Sequence, residues 1–159
     1  MKVIMGADPL GYDLKEAVKA HLVKQGIEVE DITSTNDVDY FSVGEALGKR
    51  IATGEFTRGF IFCGTGMGVN IVVNKYQGVY SALCESIETA RLSRVINNAN
   101  VLAMGGIVMT PYMANQMADV FLNTPFSEGF SEADPKFLKG AYKDVQTTET
   151  KITAFNTKH

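Results

Sequence analysis

A chain of 159 residues and 17.3 kDa fits one domain, long enough to bury about 70% of its unfolded surface without disulfide or metal staples. Apolar residues make up 45% and charged residues 21%, which excludes a disordered or collagen-like chain. The net charge of −3, the pI near 5.4 and the absence of any basic run make nucleic acid and anionic lipid poor partners. No apolar stretch approaches the roughly 18 residues of a membrane span, and the N-terminus lacks the pattern of a secretory signal. Two cysteines, Cys63 and Cys84, are too few for a disulfide framework. These features predict a cytoplasmic protein with reduced thiols.

The predicted elements alternate. Lys2 to Gly6 (KVIMG) is a short apolar strand. Leu10 to Gln25 follows as a helix, with Leu10, Leu14, Ala17, Val18 and Leu22 on one stripe and Gly26 as its terminator. Ile27 to Ile32 alternates apolar with acidic and predicts a half-buried or edge strand. Phe41 to Ala52 is a second helix, with Val43, Leu47 and Ile51 on its apolar stripe. Gly59 to Cys63 (GFIFC) and Val79 to Cys84 are apolar strands. Ser86 is placed to cap a helix from Ile87 to about Ile96, and Val101 to Gly105 is a fifth strand. Thr110-Pro111 opens a helix with Met113, Met117, Val120 and Phe121 as its core stripe. Beyond Phe126 the pattern weakens. Pro135 to Tyr142 predicts one helix, and the Thr-rich remainder predicts a tail on the surface or on a partner subunit. The chain thus divides into a domain over 1–126 and a C-terminal segment over 127–159. Five short strands alternating with helices predict a doubly wound, Rossmann-like α/β/α sandwich with a five-stranded parallel sheet. In such sheets ligands gather beyond the carboxyl ends of the strands, which here are Asp8, Thr33 to Tyr40, Cys63 to Gly68, Glu85–Ser86 and Gly105–Gly106.

The most informative of these segments is Cys63-Gly64-Thr65-Gly66-Met67-Gly68-Val69-Asn70. Alternating glycines between a strand and a helix expose backbone N–H groups, which bind an anion or a developing oxyanion. The spacing matches neither a Walker loop nor the dinucleotide fingerprint. A cysteine beside such donors should have a lowered thiol pKa and serve as a general base or acid. The alternative is a buried strand cysteine that only packs, which is the commoner fate of a free thiol. Cys84, at the end of the next strand, fits that inert role.

These residues are part of a longer match. Gly6-Ala7-Asp8, Gly11, Leu14-Lys15, Asp39-Tyr40, Gly54-Glu55, Gly59, Cys63 to Gly68, Asn74-Lys75, Ser81 to Cys84, Ala90 to Arg94 and Asn97 to Leu102 occur in the order and spacing of a known family. The span from Met1 to about Phe126 resembles the ribose-5-phosphate isomerase B and galactose-6-phosphate isomerase family. The resemblance implies aldose–ketose isomerisation through an enediolate, without cofactor or metal, by a dimer whose sites are shared between subunits. It assigns proton transfer to Cys63 and the enediolate oxygen to Thr65 and the amides of Gly64, Gly66 and Gly68. It places Asp8 and Tyr40 on the sugar and brings Asn97 from the other subunit. Without the resemblance, Asp8 reads equally as a helix cap, Tyr40 as a half-buried aromatic and Asn97 as a helix-end residue.

The departures narrow the expectation. The family usually has Asp-His after the first strand, where this chain has Asp8-Pro9. The ring-opening histidine before the asparagine is Ile96 here, and no arginine follows Arg94, where the family usually has phosphate-binding arginines. Three readings remain. The chain is one half of a hetero-oligomeric isomerase, similar to the B subunit of galactose-6-phosphate isomerase, with a paralogue supplying the missing groups. Or it is a homo-oligomeric isomerase for an open-chain substrate such as an aldotetrose 4-phosphate, with Lys136, Lys139 or Lys143 on the phosphate; those lysines read first as a solvated helix face. Or it is a non-catalytic sugar-phosphate-binding member, against which the intact Cys-Gly-Thr-Gly loop speaks.

Overall fold

The computed structural model describes residues 1–158. Its elements run β1 (Lys2–Ala7), α1 (Tyr12–Lys24), β2 (Glu28–Asp31), α2 (Tyr40–Ala52), β3 (Gly59–Cys63), α3 (Met67–Val73), β4 (Ser81–Leu83), α4 (Ile87–Val95), β5 (Val101–Gly105), α5 (Pro111–Asn123) and α6 (Pro135–Lys158). The five strands are all parallel, in the order β2-β1-β3-β5-β4. The doubly wound sheet expected from the strand–helix alternation is therefore present.

Period-two alternation along the central strands sorts their side chains between two cores. Val3, Met5, Ala7, Phe60, Phe62, Leu102 and Met104 pack with Leu14, Val18, Leu22, Met117 and Phe121 of α1 and α5. Ile4, Ile61, Cys63, Val101 and Ala103 face the other way, onto Val43, Leu47 and Ile51 of α2 and Val69 and Val73 of α3. This double burial is why GFIFC reads as an unbroken apolar run.

The one fully buried charge on α1 is Lys15. Its Nζ donates to Asp31 Oδ2 at 2.8 Å and to the Thr33 carbonyl at 2.5 Å, and it lies 4.2 Å from the centroid of the Tyr12 ring. Thr33 Oγ1 in turn accepts the Ala7 amide at 2.9 Å. The network ties the carboxyl ends of β1 and β2 together. Burial tends to push the Asp31 carboxyl up, but hydrogen bonds from Lys15, Lys19 and the Thr33 amide outweigh it and hold it below its ordinary value.

Both sheet edges are guarded. β2 reads Glu-Val-Glu-Asp on its open side. At the other edge the Asn74 side chain substitutes for a neighbouring strand: its Oδ1 accepts from Ser81 N at 2.8 Å and its Nδ2 donates to Ser81 O at 3.0 Å. Helix α6 lies against this edge. Leu138 is buried, the Tyr142 ring meets Tyr80 and Phe126, and Glu149 accepts from Gly78 N and Tyr80 Oη at 2.9 Å each.

Three local expectations need correction. The first helix starts at Tyr12, not Leu10, because Asp8 Oδ1 accepts the amides of Leu10 and Gly11 and holds them in a turn. Leu10 is consequently 64% exposed and off the core stripe. The strand expected over Val79 to Cys84 shrinks to Ser81–Leu83, since Asn100 Oδ1 accepts the Tyr80 amide at 2.8 Å before the ladder begins. The C-terminal helix does not stop near Tyr142. It runs through the Thr-rich stretch, where Thr147, Thr150 and Thr157 return their hydroxyls to the carbonyls four residues back.

Replacing Lys15 with Met leaves Lys19 as the only lysine on Asp31 among the described residues and removes the lysine donor from the Thr33 carbonyl, and should cost about 1–3 kcal/mol, measurable by urea denaturation. The Asp31 contribution is complete above the unfolded carboxyl pKa of 3.8 and is lost as pH falls through the lower folded value. Asp31→Asn should therefore flatten the acid limb of the stability–pH curve below pH 3.8 while lowering stability at neutral pH.

Candidate active site

Strand order reverses between β1 and β3, and the crevice beyond their carboxyl ends opens there. Asp8, just past β1, donates its amide to Phe62 O at 3.1 Å, which sets it beside Cys63 at the end of β3. The loop after β5 closes the third side. Gly106 N donates to Cys63 O at 2.8 Å and Ile107 N to Gly64 O at 2.9 Å. The fit is close enough that a Cβ on Gly106 would lie 2.1 Å from the Leu10 carbonyl oxygen. Three of the strand-end loops marked in the sequence thus meet around one thiol.

Cys63 is 6% exposed, and its Sγ accepts the Gly66 amide at 3.1 Å. The contact depends on Gly66, whose φ of +78° turns the amide inward. A Cβ there would lie 2.6 Å from Leu83 Cδ1 and 2.9 Å from the Met104 carbonyl carbon. Thr65 is half-buried beside the thiol, its Oγ1 accepting from Met67 N at 3.3 Å. The first amides of α3 have no acceptor inside that helix, as at any helix start.

Tyr40, capped into α2 by Asp39, reaches the same loop. A Cβ on Gly68 would lie 2.9 Å from its ring, and the ring remains 42% exposed at the crevice. Asp8 is buried, with Oδ1 taken by the Leu10 and Gly11 amides. The capping expectation therefore holds for one oxygen, while Oδ2 has no partner among the described residues. Cys63, Gly64, Thr65, Gly66, Gly68, Asp8 and Tyr40 are brought together.

Asn97 is not. It follows α4 near the amino end of β5, whereas Cys63 pairs with Gly105 at the carboxyl end of that strand. With Ile96, Tyr80, Leu138 and Tyr142 it lines a cleft of about 380 Å³ beneath α6. Cys84 is buried, and burial pushes its thiol up, in keeping with an inert role. His21 binds Asp119 Oδ1 at 2.8 Å on the α1–α5 surface, and His159 lies outside the described residues. Lys136, Lys139 and Lys143 are exposed on α6, as a solvated face would be.

Two features escaped the sequence reading. Lys15 underpins the β1 end, and its only signal was a lysine beside an apolar stripe facing an acidic strand. Leu10 and Ile107 stand exposed as apolar walls on either side of Gly64. No Lys or Arg occurs in 8–11, 32–39, 64–66, 84–86 or 106–110, so the crevice has no cation of its own on these loops.

A family model described as Ribose/Galactose Isomerase matches residues 3–135. The chain belongs to this family. It is 42% identical over 155 residues to a 4-deoxy-4-sulfo-D-erythrose isomerase of Clostridium sp. (strain MSTE9), covering 96% of this chain and 98% of that one. It is 34% identical over 150 residues to a D-erythrulose-4-phosphate isomerase of Pectobacterium atrosepticum, covering 92% and 97%. Among solved structures, the ribose-5-phosphate isomerase B of Clostridium thermocellum superposes with a TM-score of 0.86 at 34% identity, over 96% of this chain and 99% of that one. The chain is an aldose–ketose isomerase of a sugar phosphate.

Iodoacetamide applied to the native protein should alkylate Cys63 at least about tenfold faster than Cys84, as mapped by mass spectrometry, because only Cys63 has an amide donor at a crevice. Equal rates would remove the thiol from the mechanism.

Proposed function

We propose that this isomerase interconverts a four-carbon aldose carrying a terminal anion with its 2-ketose, using Cys63 as the proton-transfer group. The observation that carries the substrate size is the apolar Ile96 together with the lack of any histidine at the crevice among the described residues. A pentose or hexose phosphate closes into a ring, and opening it requires a proton donor and acceptor. A tetrose whose C4 oxygen is esterified, or replaced by sulfonate, cannot form a furanose and enters as the open carbonyl. Relatives named for such four-carbon substrates, at 42% and 34% identity over nearly the whole chain, support the same size class.

In this reading the Cys63 thiolate removes the C2 proton of the aldose. The electron pair moves into the C1–C2 bond, and the carbonyl oxygen becomes the enediolate oxygen. Thr65 and the amides of Gly64, Gly66 and Gly68 stabilise that charge. The thiol returns the proton to C1, while one hydroxyl proton passes from O2 to O1. Asp8 Oδ2 and the Tyr40 hydroxyl hold the sugar oxygens, and Leu10 and Ile107 limit the space for further carbons. Asn97 serves the thiol of a second copy, which makes the working unit a dimer. Exposed Phe137, Val145 and Ile152 on α6 give the partner an apolar surface, in keeping with a C-terminal segment that packs across subunits.

Purified alone, the chain should isomerise erythrose 4-phosphate with a kcat/KM at least about a hundredfold above that for ribose 5-phosphate, the range one missing acid–base group commands. Robust activity on ribose 5-phosphate would overturn the tetrose assignment, and activity that requires a paralogue would select a hetero-oligomer. Cys63→Ser should lower kcat by about 10²–10⁴ with little change in thermal stability. Sedimentation should show a species of twice the 17.3 kDa chain mass.

A further inference from the structure

Of the four arginines, Arg50 pairs with Glu30 and Glu55, and Arg91 with Glu88. Arg58 and Arg94 form no ion pair among the described residues. Arg94 is 3% exposed, at the end of α4. Its Nη1 donates to Asn98 Oδ1 at 2.9 Å and to Ala99 O at 2.5 Å, but its buried Nε has no acceptor. Arg58, immediately before β3, is half-buried and donates only to its neighbour Thr57 O, at 2.6 Å. Burial, and then the nearby Arg58 charge, push the Arg94 pKa down to about 10. Geometry places the two together: Gly59, next to Arg58, donates its amide to Asn100 O at 2.9 Å, adjacent to the Ala99 carbonyl that Arg94 holds. The Arg94 guanidinium lies 5.6 Å from the centroid of the Phe121 ring, but it has no carboxylate partner among the described residues, and such a pair of charges favours a compensating anion.

Other anomalies converge on the same spot. Ser127 is fully buried, its amide bonded to Val95 O at 2.8 Å, and its hydroxyl has no partner. The two non-glycine residues with positive φ among the described residues are Ser127, at +63°, and Asn98, at +54°. Both flank Arg94. Asn98 is the left-handed residue that closes α4, with its amide on Arg94 O and the Ala99 amide on Ser93 O, whereas Ser127 closes no helix. The Tyr142 ring packs on Phe126 with centroids 5.3 Å apart, which brings α6 over the same corner.

We propose that Arg58 and Arg94, with the Ser127 hydroxyl and Tyr142 beside them, form a binding site for one small oxyanion at the amino end of the sheet. Five residue steps along extended β3 carry the chain from Arg58 to Cys63, about 16 Å, so one short substrate does not reach both within a single chain. The oxyanion therefore has two possible sources. It is the terminal phosphate or sulfonate of a substrate held at the thiol of a neighbouring copy, or it is a free inorganic anion.

The test uses inorganic phosphate as the probe. Phosphate should raise the melting temperature of the full chain saturably, beyond sodium chloride at matched ionic strength. Arg58→Gln, at a half-buried position with a single carbonyl contact, should fold and lose at least about two-thirds of that shift. Arg94→Lys, which keeps the charge but not the fork, should lose most of it. An equal response to chloride, or a full shift in Arg58→Gln, would overturn the site. Kinetics then separate the sources, with erythrose 4-phosphate as substrate. Competitive inhibition by phosphate, with KM raised severalfold in Arg58→Gln, identifies the substrate's own anion. Noncompetitive inhibition with KM unchanged identifies an inorganic ligand. Only this kinetic arm rests on the tetrose reading, so a failed thermal shift and a failed substrate assignment remain distinct results.

Discussion

Everything at the active end of this molecule follows from the reversal of strand order between β1 and β3. The chain leaves β1 toward one edge of the sheet and builds β3, β5 and β4 toward the other, so the connecting helices diverge and leave the two carboxyl ends uncovered. The Asp8 amide, bonded to Phe62 O, joins the strands at that gap. Asp8 and Cys63 become neighbours although 55 positions apart in sequence. The glycines then allow the three loops to close to backbone contact. The thiol receives a directed amide, and no Lys or Arg accompanies it on the strand-end loops named above.

The substitutions that separate this chain from the usual family pattern fall into one chemical account. Where the family pattern implies a ring-opening histidine and phosphate-binding arginines this chain has Ile96 and no arginine after Arg94, while the Cys63 to Gly68 loop, to which we assign proton transfer, keeps the pattern. Losing both functions at random would leave no reason to keep Gly66 at a backbone angle only glycine holds comfortably. A shorter, ringless substrate removes the need for the first function. The second is a question of where positive charge resides, and the two arginines without carboxylate partners lie at the far end of the sheet from the thiol.

How much of this was legible beforehand depended on the physical range of each signal. GFIFC announced a central strand because every residue in it enters one of two cores, a local pattern with one meaning. The Cys63 to Gly68 loop was legible because alternating glycines between an apolar strand and a helix mark close backbone approach and inward-facing amides. Leu10 was misplaced because its spacing matched the α1 stripe, while a side chain two residues earlier had already bent the backbone away. Lys15 gave almost no signal, since its partners Asp31 and Thr33 arrive from another strand. The extent of α6 was hidden by threonines, which weaken a helix in isolation but here return their hydroxyls to it. The separation of Asn97 from the thiol within one chain follows from its place before β5, at the sheet end opposite Cys63, and agrees with the expectation that it acts in a second copy.

The two guarded edges have a consequence for the life of the protein at high concentration. An open parallel sheet is a template that recruits any extended segment, and growth in that direction has no natural end. Here one border is a four-residue strand whose carboxylates are held in ion pairs, charged groups that an incoming strand would have to desolvate. The other is occupied by a side-chain amide that imitates the missing backbone, with a long helix lying over it. Copies of the chain are left with helices and loops as their only meeting surfaces. Edge-to-edge strand addition, one route toward fibrous aggregation, is hindered at both ends.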